Sequence, residues 1–278
     1  MAKKETALTA PASSEALALL TQEFPVDNGF TRVMLPRLGL ISQDVTEEVR
    51  NPTTKKKEIK VITEAGTFFI DTETNEVDEN GKKVWSKNEL GDEIEGIILF
   101  QRKQLRHYDN ATGEFTNSPV YDNDDEVMPL WKNRAEIGRG TEKELQALPQ
   151  FRVEKNGKVQ SALEVTRILY VLFETENEEG EPERKIYQMN LRGSSMFSYL
   201  TYKRKTSPPT VLTKFTSSTQ ENGDVTWNRM EFEAVRPITN AEAVEVIGHV
   251  KDLKQGIAMQ KGYFDAEAKT NKEFEEVG

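Results

Sequence analysis

Between Arg184 and Gln220 the chain carries seven cationic side chains, Arg184, Lys185, Arg192, Lys203, Arg204, Lys205 and Lys214, and no Asp or Glu. The other 30 of its 37 basic residues stand against 47 acidic ones, and the formal net charge of the 278 residues is -10. Tyr187, Phe197, Tyr199, Tyr202 and Phe215 are interleaved with the cations. Cations neutralise phosphates and flat rings stack on unpaired bases. This mixture on an acidic chain is therefore the chemistry a single-stranded nucleic acid would select. The plain alternative is a solvated basic face beside ordinary core aromatics.

The same combination occurs twice more. No acid lies between Glu95 and Asp109, and that stretch holds Arg102, Lys103, Arg106, His107 and Tyr108. Trp131 heads the run Trp131-Lys132-Asn133-Arg134 and could stack a base or fill the core. The candidate phosphate ligands are Arg102, Lys103, Arg106, Arg192, Lys203, Arg204, Lys205 and Lys214. The candidate stacking residues are Tyr108, Trp131, Tyr187 and Tyr202, at about 1–3 kcal/mol per stacked base.

Other chemistry finds poor support. Without cysteine there is no disulfide, thiol nucleophile or Cys-ligated zinc, and the composition fits a reducing compartment. No phosphate-cradling G-x-x-x-x-G-K loop or G-x-G-x-x-G turn occurs. Gly193-Ser194-Ser195 lacks the second glycine of a G-x-S-x-G nucleophile elbow. The two histidines, His107 and His249, are far apart, and His107 sits among cations. Asp122, Asp124, Asp125 and Glu126 offer oxygens to a hard cation but lack the glycine and distant glutamate of an EF-hand. The expectation is a binding protein and not an enzyme, with no metal and no cofactor. No run approaches the ~20 apolar residues of a membrane span, and Met1 to Pro11 lacks a signal peptide's apolar core. A soluble cytoplasmic protein is expected.

The elements that must position these residues divide the chain into four parts. Residues 1–55 read as an N-terminal arm. It holds a short helix from Glu15 to Gln22, an edge strand or extended arm from Thr31 to Leu40 broken by Pro36, and a loop over 44–57. Residues 56–237 read as a β-rich core, with hairpins at Asn80-Gly81, Asn156-Gly157 and Asn222-Gly223. Ile94 to Phe100 is a strand and Leu163 to Phe173 a central one. The acid-rich loop Glu174 to Glu183 is placed either to neutralise the return strand Arg184 to Arg192 or to swing away when a polyanion arrives, and Ile186, Met189 and Leu191 of that strand are expected buried. A serine of Gly193-Ser194-Ser195 then caps a short helix with Met196, Phe197 and Leu200 on one face. Lys203, Arg204 and Lys205 close it, and Pro208-Pro209 stops it. Thr141 with Glu144 forms a capping box for another short helix. Residues 238–262 form an amphipathic helix opened by a Thr239–Glu242 capping box, with Val246, Val250, Leu253 and Ile257 on one stripe. Residues 263–278 are an acidic tail. The rest of 109–160 gives little pattern.

No regular βαβ alternation occurs, so the expected fold is mainly β. It is an OB-like partly closed β-barrel with elaborating loops and a C-terminal helix, with a β-sandwich as the alternative. In this layout the stretches Ile94 to Tyr108, Leu163 to Phe173 and Arg184 to Tyr202 resemble the single-stranded DNA-binding proteins of bacteriophages and mobile elements. The join Leu191-Arg192-Gly193-Ser194-Ser195 belongs to the likeness, which covers about a third of the chain. The chain departs from that pattern in having no cysteine for a zinc ribbon. Its tail also mixes Lys269 and Lys272 with the acids and has no terminal aromatic. The resemblance implies sequence-tolerant binding of single-stranded DNA, or RNA, in replication or recombination in a bacterial host cytoplasm. The partners it implies are replication or recombination proteins recruited through the acidic tail, and further copies of the chain, with no membrane. The alternative function is a viral structural or assembly protein whose basic window is a subunit interface.

Overall fold

The structure is a computed structural model that describes residues 35–50, 57–77, 83–133, 135–155, 157–176, 179–223 and 225–254. Strands dominate: β1 Arg37–Leu40, β2 Val45–Arg50, β3 Lys57–Thr63, β4 Phe68–Val77, β5 Lys83–Gly91, β6 Glu93–Asp109, β7 Glu114–Tyr121, β8 Met128–Lys132, β9 Ala135–Gly140, β10 Arg152–Lys155, β11 Lys158–Ser161, β12 Glu164–Glu176, β13 Pro182–Leu191, β14 Val211–Asn222 and β15 Val225–Pro237. The helices are α1 Glu142–Gln146, α2 Gly193–Lys205 and α3 over 240–254. The mainly β expectation holds. No described helix is long and apolar enough to cross a membrane.

The chain forms two compact units. One comprises Leu35–Phe100 and Tyr170–Val244; the other comprises Gln101–Leu169 and the described residues from Glu245. In the first, the hydrogen-bonded order is β5-β4-β1-β13-β12-β6, with β14 on β6 and β15 on β14. β12 is central, as its run of Tyr170, Val171, Leu172 and Phe173 demands, and all four are buried. β1 is central too, which corrects the edge-strand expectation. Leu38 lies opposite Met189 in parallel and opposite Ile70 in antiparallel pairing. Pro36 stands one residue before the strand and only accepts, taking the Gln188 N–H at 2.9 Å, so its missing donor is never needed. The loop expected over 44–57 instead contains β2, paired with β3 from Val45↔Thr63 to Arg50↔Lys57.

In the second unit the order is β12-β6-β7-β8-β9, with β10 and β11 as a separate hairpin. Hairpins form at the two expected places, closed by Lys155↔Lys158 and by Asn222↔Val225; in the second, Asn222 is itself the last paired residue of β14, so the connection begins one residue later than expected, at Gly223. Gly157 and Gly223 sit at φ +69° and +61°, which suits glycine. β4 and β5 pair antiparallel, while their Asn80-Gly81 connection lies outside the described residues, as do the expected Glu15–Gln22 helix and the 263–278 tail.

The sheet does not close into a barrel. One edge of β6 is divided between two partners. Its start pairs with β14, with Ile94 opposite Phe215, and its end with β7, with Tyr108 opposite Phe115. The sheet therefore branches at β6, and among the described residues β5 and β9 end the order with no pairing between them. Closure requires those end strands to meet.

β6 depends on Gly96. A Cβ there would lie 2.9 Å from Val171 Cγ1 and 3.0 Å from the Leu172 carbonyl oxygen. Backbone cannot yield as a side-chain tip can. Gly96→Ala is expected to destabilise the protein by about 1–3 kcal/mol, read as a lower urea midpoint.

The Thr239–Glu242 capping box forms. Thr239 N–H donates to Glu242 Oε2 at 2.8 Å, and Glu242 N–H donates to Thr239 Oγ1 at 3.2 Å. The same buried carboxylate accepts both Arg236 terminal nitrogens at 2.8 Å, with Arg184 Nη2 at 3.5 Å. Hydrogen bonding from Arg236, helped by Thr239, pulls the Glu242 pKa down to about 2 against the opposing effect of burial. A carboxylate held low in the fold stabilises it above the unfolded pKa, and that contribution disappears as pH falls towards 2. Glu242→Gln should remove roughly 3 kcal/mol of stability at neutral pH and flatten the fall in stability between about pH 4.5 and pH 2, measured by urea titration across that range.

Candidate nucleic-acid interface

In the first unit the basic window centres on α2. The sequence suggested a serine cap, but the cap position is Arg192, in extended conformation, and it makes no side-chain cap bond. The serines fix the helix to β15 instead. Ser194 Oγ accepts from Trp227 Nε1 at 3.0 Å and Ser195 Oγ from Met230 N–H at 3.0 Å. Ser198 Oγ donates to the Glu231 carboxylate, which also takes Arg229 Nε at 2.7 Å and Ser218 Oγ at 3.0 Å.

Tyr199 and Tyr202, three apart and so on one face, both turn inward and are buried. Tyr199 meets Phe232 edge-on at 5.4 Å, Tyr202 stacks on it at 5.9 Å, and Phe215 closes from the sheet at 5.5 Å. The Tyr202 hydroxyl is 2.7 Å from Thr213 Oγ1, and burial pushes its phenol pKa up. Tyr202 is therefore a core residue and not an exposed stacking surface. The ring that α2 does expose is Phe197, 65% accessible and missing from the expected site. Thr201, Lys203, Arg204 and Lys205 are also exposed, as is Arg192 where the helix begins. Phe197, Thr201, Arg204 and Lys205 are spaced four, three and one apart, which gives a single outward stripe. α2 carries no acid at all.

The remaining first-unit candidates are engaged in the fold. Tyr187 is 4% exposed, edge-on to Phe173 at 5.8 Å, with its hydroxyl 3.3 Å from Thr175 Oγ1. It alternates in phase with buried Met189 and Leu191, whereas Ile186 lies on the other face and is only half-buried. The period-two pattern of 187, 189 and 191 was a readable signal for this. Lys214 is half-buried and paired with Glu93 at 2.5 Å. Arg184 meets Glu174 at 3.0 Å and Lys185 meets Glu183 at 2.7 Å; these acids, expected in a loop, lie on β12 and on β13 itself.

In the second unit Arg102 and Lys103 are buried, 1% and 8% exposed, and do not face solvent. Arg102 Nε and Nη2 donate to the two Asp122 oxygens at 3.0 and 3.2 Å, and Nη2 also to the Val120 carbonyl at 3.1 Å. Lys103 donates to Glu142 at 3.1 Å, meets Asp124, and lies 5.0 Å over the Tyr121 ring. Tyr121 donates its hydroxyl to Glu142 at 2.8 Å, and burial pushes its pKa far above the usual tyrosine range. Cations taken out of water must be paired, so the acidic cluster after β7 supplies counter-charge to β6. No group of three such side chains among the described residues could hold a metal ion. His107 belongs to this packing, with Nδ1 3.1 Å from the Ala162 carbonyl and its ring edge-on to Phe151 at 5.6 Å.

Three candidates do come together. Arg106 lies opposite Asn117 and Tyr108 opposite Phe115, while Asn117 lies opposite Trp131 on the next strand. Cross-strand partners project from the same side, so Arg106, Tyr108, Phe115, Asn117 and Trp131 share one sheet face. Tyr108 is 54% exposed; Arg106, Phe115 and Trp131 are half-buried. The Arg106 guanidinium lies 4.6 Å from the Phe115 ring centroid. Phe115 was not anticipated, because its role follows only from strand register.

Comparison with protein-family models, with curated proteins and with solved structures gives no match.

Two substitutions separate packing from binding at position 202. Tyr202→Ala should cost about 3–5 kcal/mol of stability through the cavity it leaves beneath α2. Tyr202→Phe should cost about 1–3 kcal/mol, because the fully buried Thr213 hydroxyl loses its partner. Thermal or urea unfolding of both variants reads the difference.

Proposed function

We propose that this protein binds single-stranded nucleic acid without strong sequence preference, DNA being the first substrate to test, in replication or recombination. The observation that carries the reading is the outer stripe of α2. Phe197, Arg204 and Lys205 lie on it, Arg192 and Lys203 are exposed beside it, and the helix has no carboxylate of its own. On a chain of net charge -10 such a patch stands out against its surroundings. Phosphates on the cations would release counterions, and a base could lie on the exposed ring. Arg184, Lys185 and Lys214 of the same window pair with carboxylates. An oligonucleotide-binding arrangement of strands is the finer fold reading that accompanies this function, although the α2 stripe does not require a closed barrel.

The test is a titration of labelled oligothymidine at several salt concentrations. Changing Lys203, Arg204 and Lys205 together to Gln should leave stability nearly intact, because exposed charges contribute little to it. It should weaken binding and flatten the plot of log affinity against log salt by about 2 units, at roughly 0.7 per phosphate contact. A wild-type protein that binds no oligonucleotide would favour the structural or assembly role, with the stripe as a subunit interface.

A further inference from the structure

We propose that the sheet face formed by Arg106, Tyr108, Phe115, Asn117 and Trp131 is a base-stacking site for unpaired nucleobases, separate from the α2 stripe. The inference rests on the nucleic-acid reading above and adds to it a site that recognises the base and not the phosphate. Register places these five residues on three adjacent strands, β6, β7 and β8. The opposite side of the same strands is core. Leu105, Met128 and Leu130 pack there with Leu145, Phe151 and Leu163. One side of this small sheet is thus anchored, while the other presents rings.

The composition of the face selects its occupant. Tyr108, Phe115 and Trp131 offer flat surfaces, and the Arg106 guanidinium is held over Phe115. Bases stack on aromatic rings and on guanidinium planes alike. A base brings a π-face that suits both the rings and the guanidinium plane. Tyr108 is left open by its surroundings. The hairpin turn beside it contains Gly113, at φ +71°, where even a Cβ would come no nearer than 3.9 Å to the tyrosine hydroxyl. Glu136, which follows Trp131 across to β9, is held by Arg139 through two hydrogen bonds at 2.9 and 2.8 Å. On the other face Lys132 and Glu114 pair with each other. The rings are therefore not surrounded by uncompensated carboxylate.

The experiment compares a labelled oligothymidine with a deoxyribose-phosphate strand of equal length that lacks bases, using the full chain. Wild type is expected to bind the base-bearing strand at least about tenfold more tightly. Tyr108→Ala should abolish most of that preference with the salt slope unchanged, and Tyr108→Phe, which keeps the ring, should retain it. Tyr108 is 54% exposed, so neither change should lower the urea midpoint appreciably. Equal binding of the two strands by wild type overturns the proposal. So does a Tyr108→Ala variant that keeps the preference, or a preference lost only on Phe197→Ala, which would place the bases on α2. In each of those cases the nucleic-acid reading survives. Binding of neither strand overturns both.

Discussion

A guanidinium with no solvent exposure is the constraint on which the second unit depends. Arg102 arrives there because β6 continues, without a break, from an apolar run into a basic one. Removing a cation from water costs several kcal/mol unless carboxylates and carbonyls replace the lost hydration. Asp122 and the Val120 carbonyl do so at Nε and Nη2, which fixes the end of β7 against β6, while Nη1 is buried with no hydrogen-bond partner among the described residues. The neighbouring Lys103, on the opposite face, pairs with the exposed Asp124 and with Glu142, and Glu142 accepts from the buried Tyr121 hydroxyl as well. The start of α1 is thereby tied to the sheet. A polar network of this kind holds its geometry because each member would be costly to leave unsatisfied.

The first unit answers a different demand. α2 has few aliphatic side chains with which to dock. It is held instead by two serines that accept from β15, by Ser198 on Glu231, and by two tyrosines around Phe232. Polar pins at its start and rings along its inner side leave the outer side unconstrained by packing. The cations at its C-terminal end oppose the partial negative charge of the last carbonyls, which suits helix stability. They also lie where the chain turns away, so they remain exposed. A helix stability device and a phosphate-binding stripe can therefore be the same residues.

The two faces proposed to bind nucleic acid differ in what they would recognise. The α2 stripe presents charge with one ring; the β6–β7–β8 face presents rings with one charge. Charge gives affinity that falls with salt, and rings give affinity that does not. The acidic remainder of the chain works against non-specific attraction of polyanions.

Much of the fold was legible in the residues. The hairpins near Gly157 and Gly223, both capping boxes, the apolar run of β12 and the basic end of α2 are local signals, each decided within a few residues of chain. β2, β7, β8 and β9 were not legible, because their stability comes from partners distant in sequence, and β1 became central only through β4 and β13. The site divides in the same way. That Lys203, Arg204 and Lys205 would lie exposed followed from their position at a helix end before Pro208-Pro209. Whether Arg102 or Lys103 faced solvent did not, since it depends on Asp122, Asp124 and Glu142 arriving from other elements. Phase decided the aromatics. Tyr187 could have been placed in the core by its alternation with Met189 and Leu191, and Tyr202 by its spacing from Tyr199 once the inward side of α2 was known. Phe115 had no such signal, because a side chain's neighbours across a sheet are set by register, and register is fixed by pairing between strands and not by either strand alone.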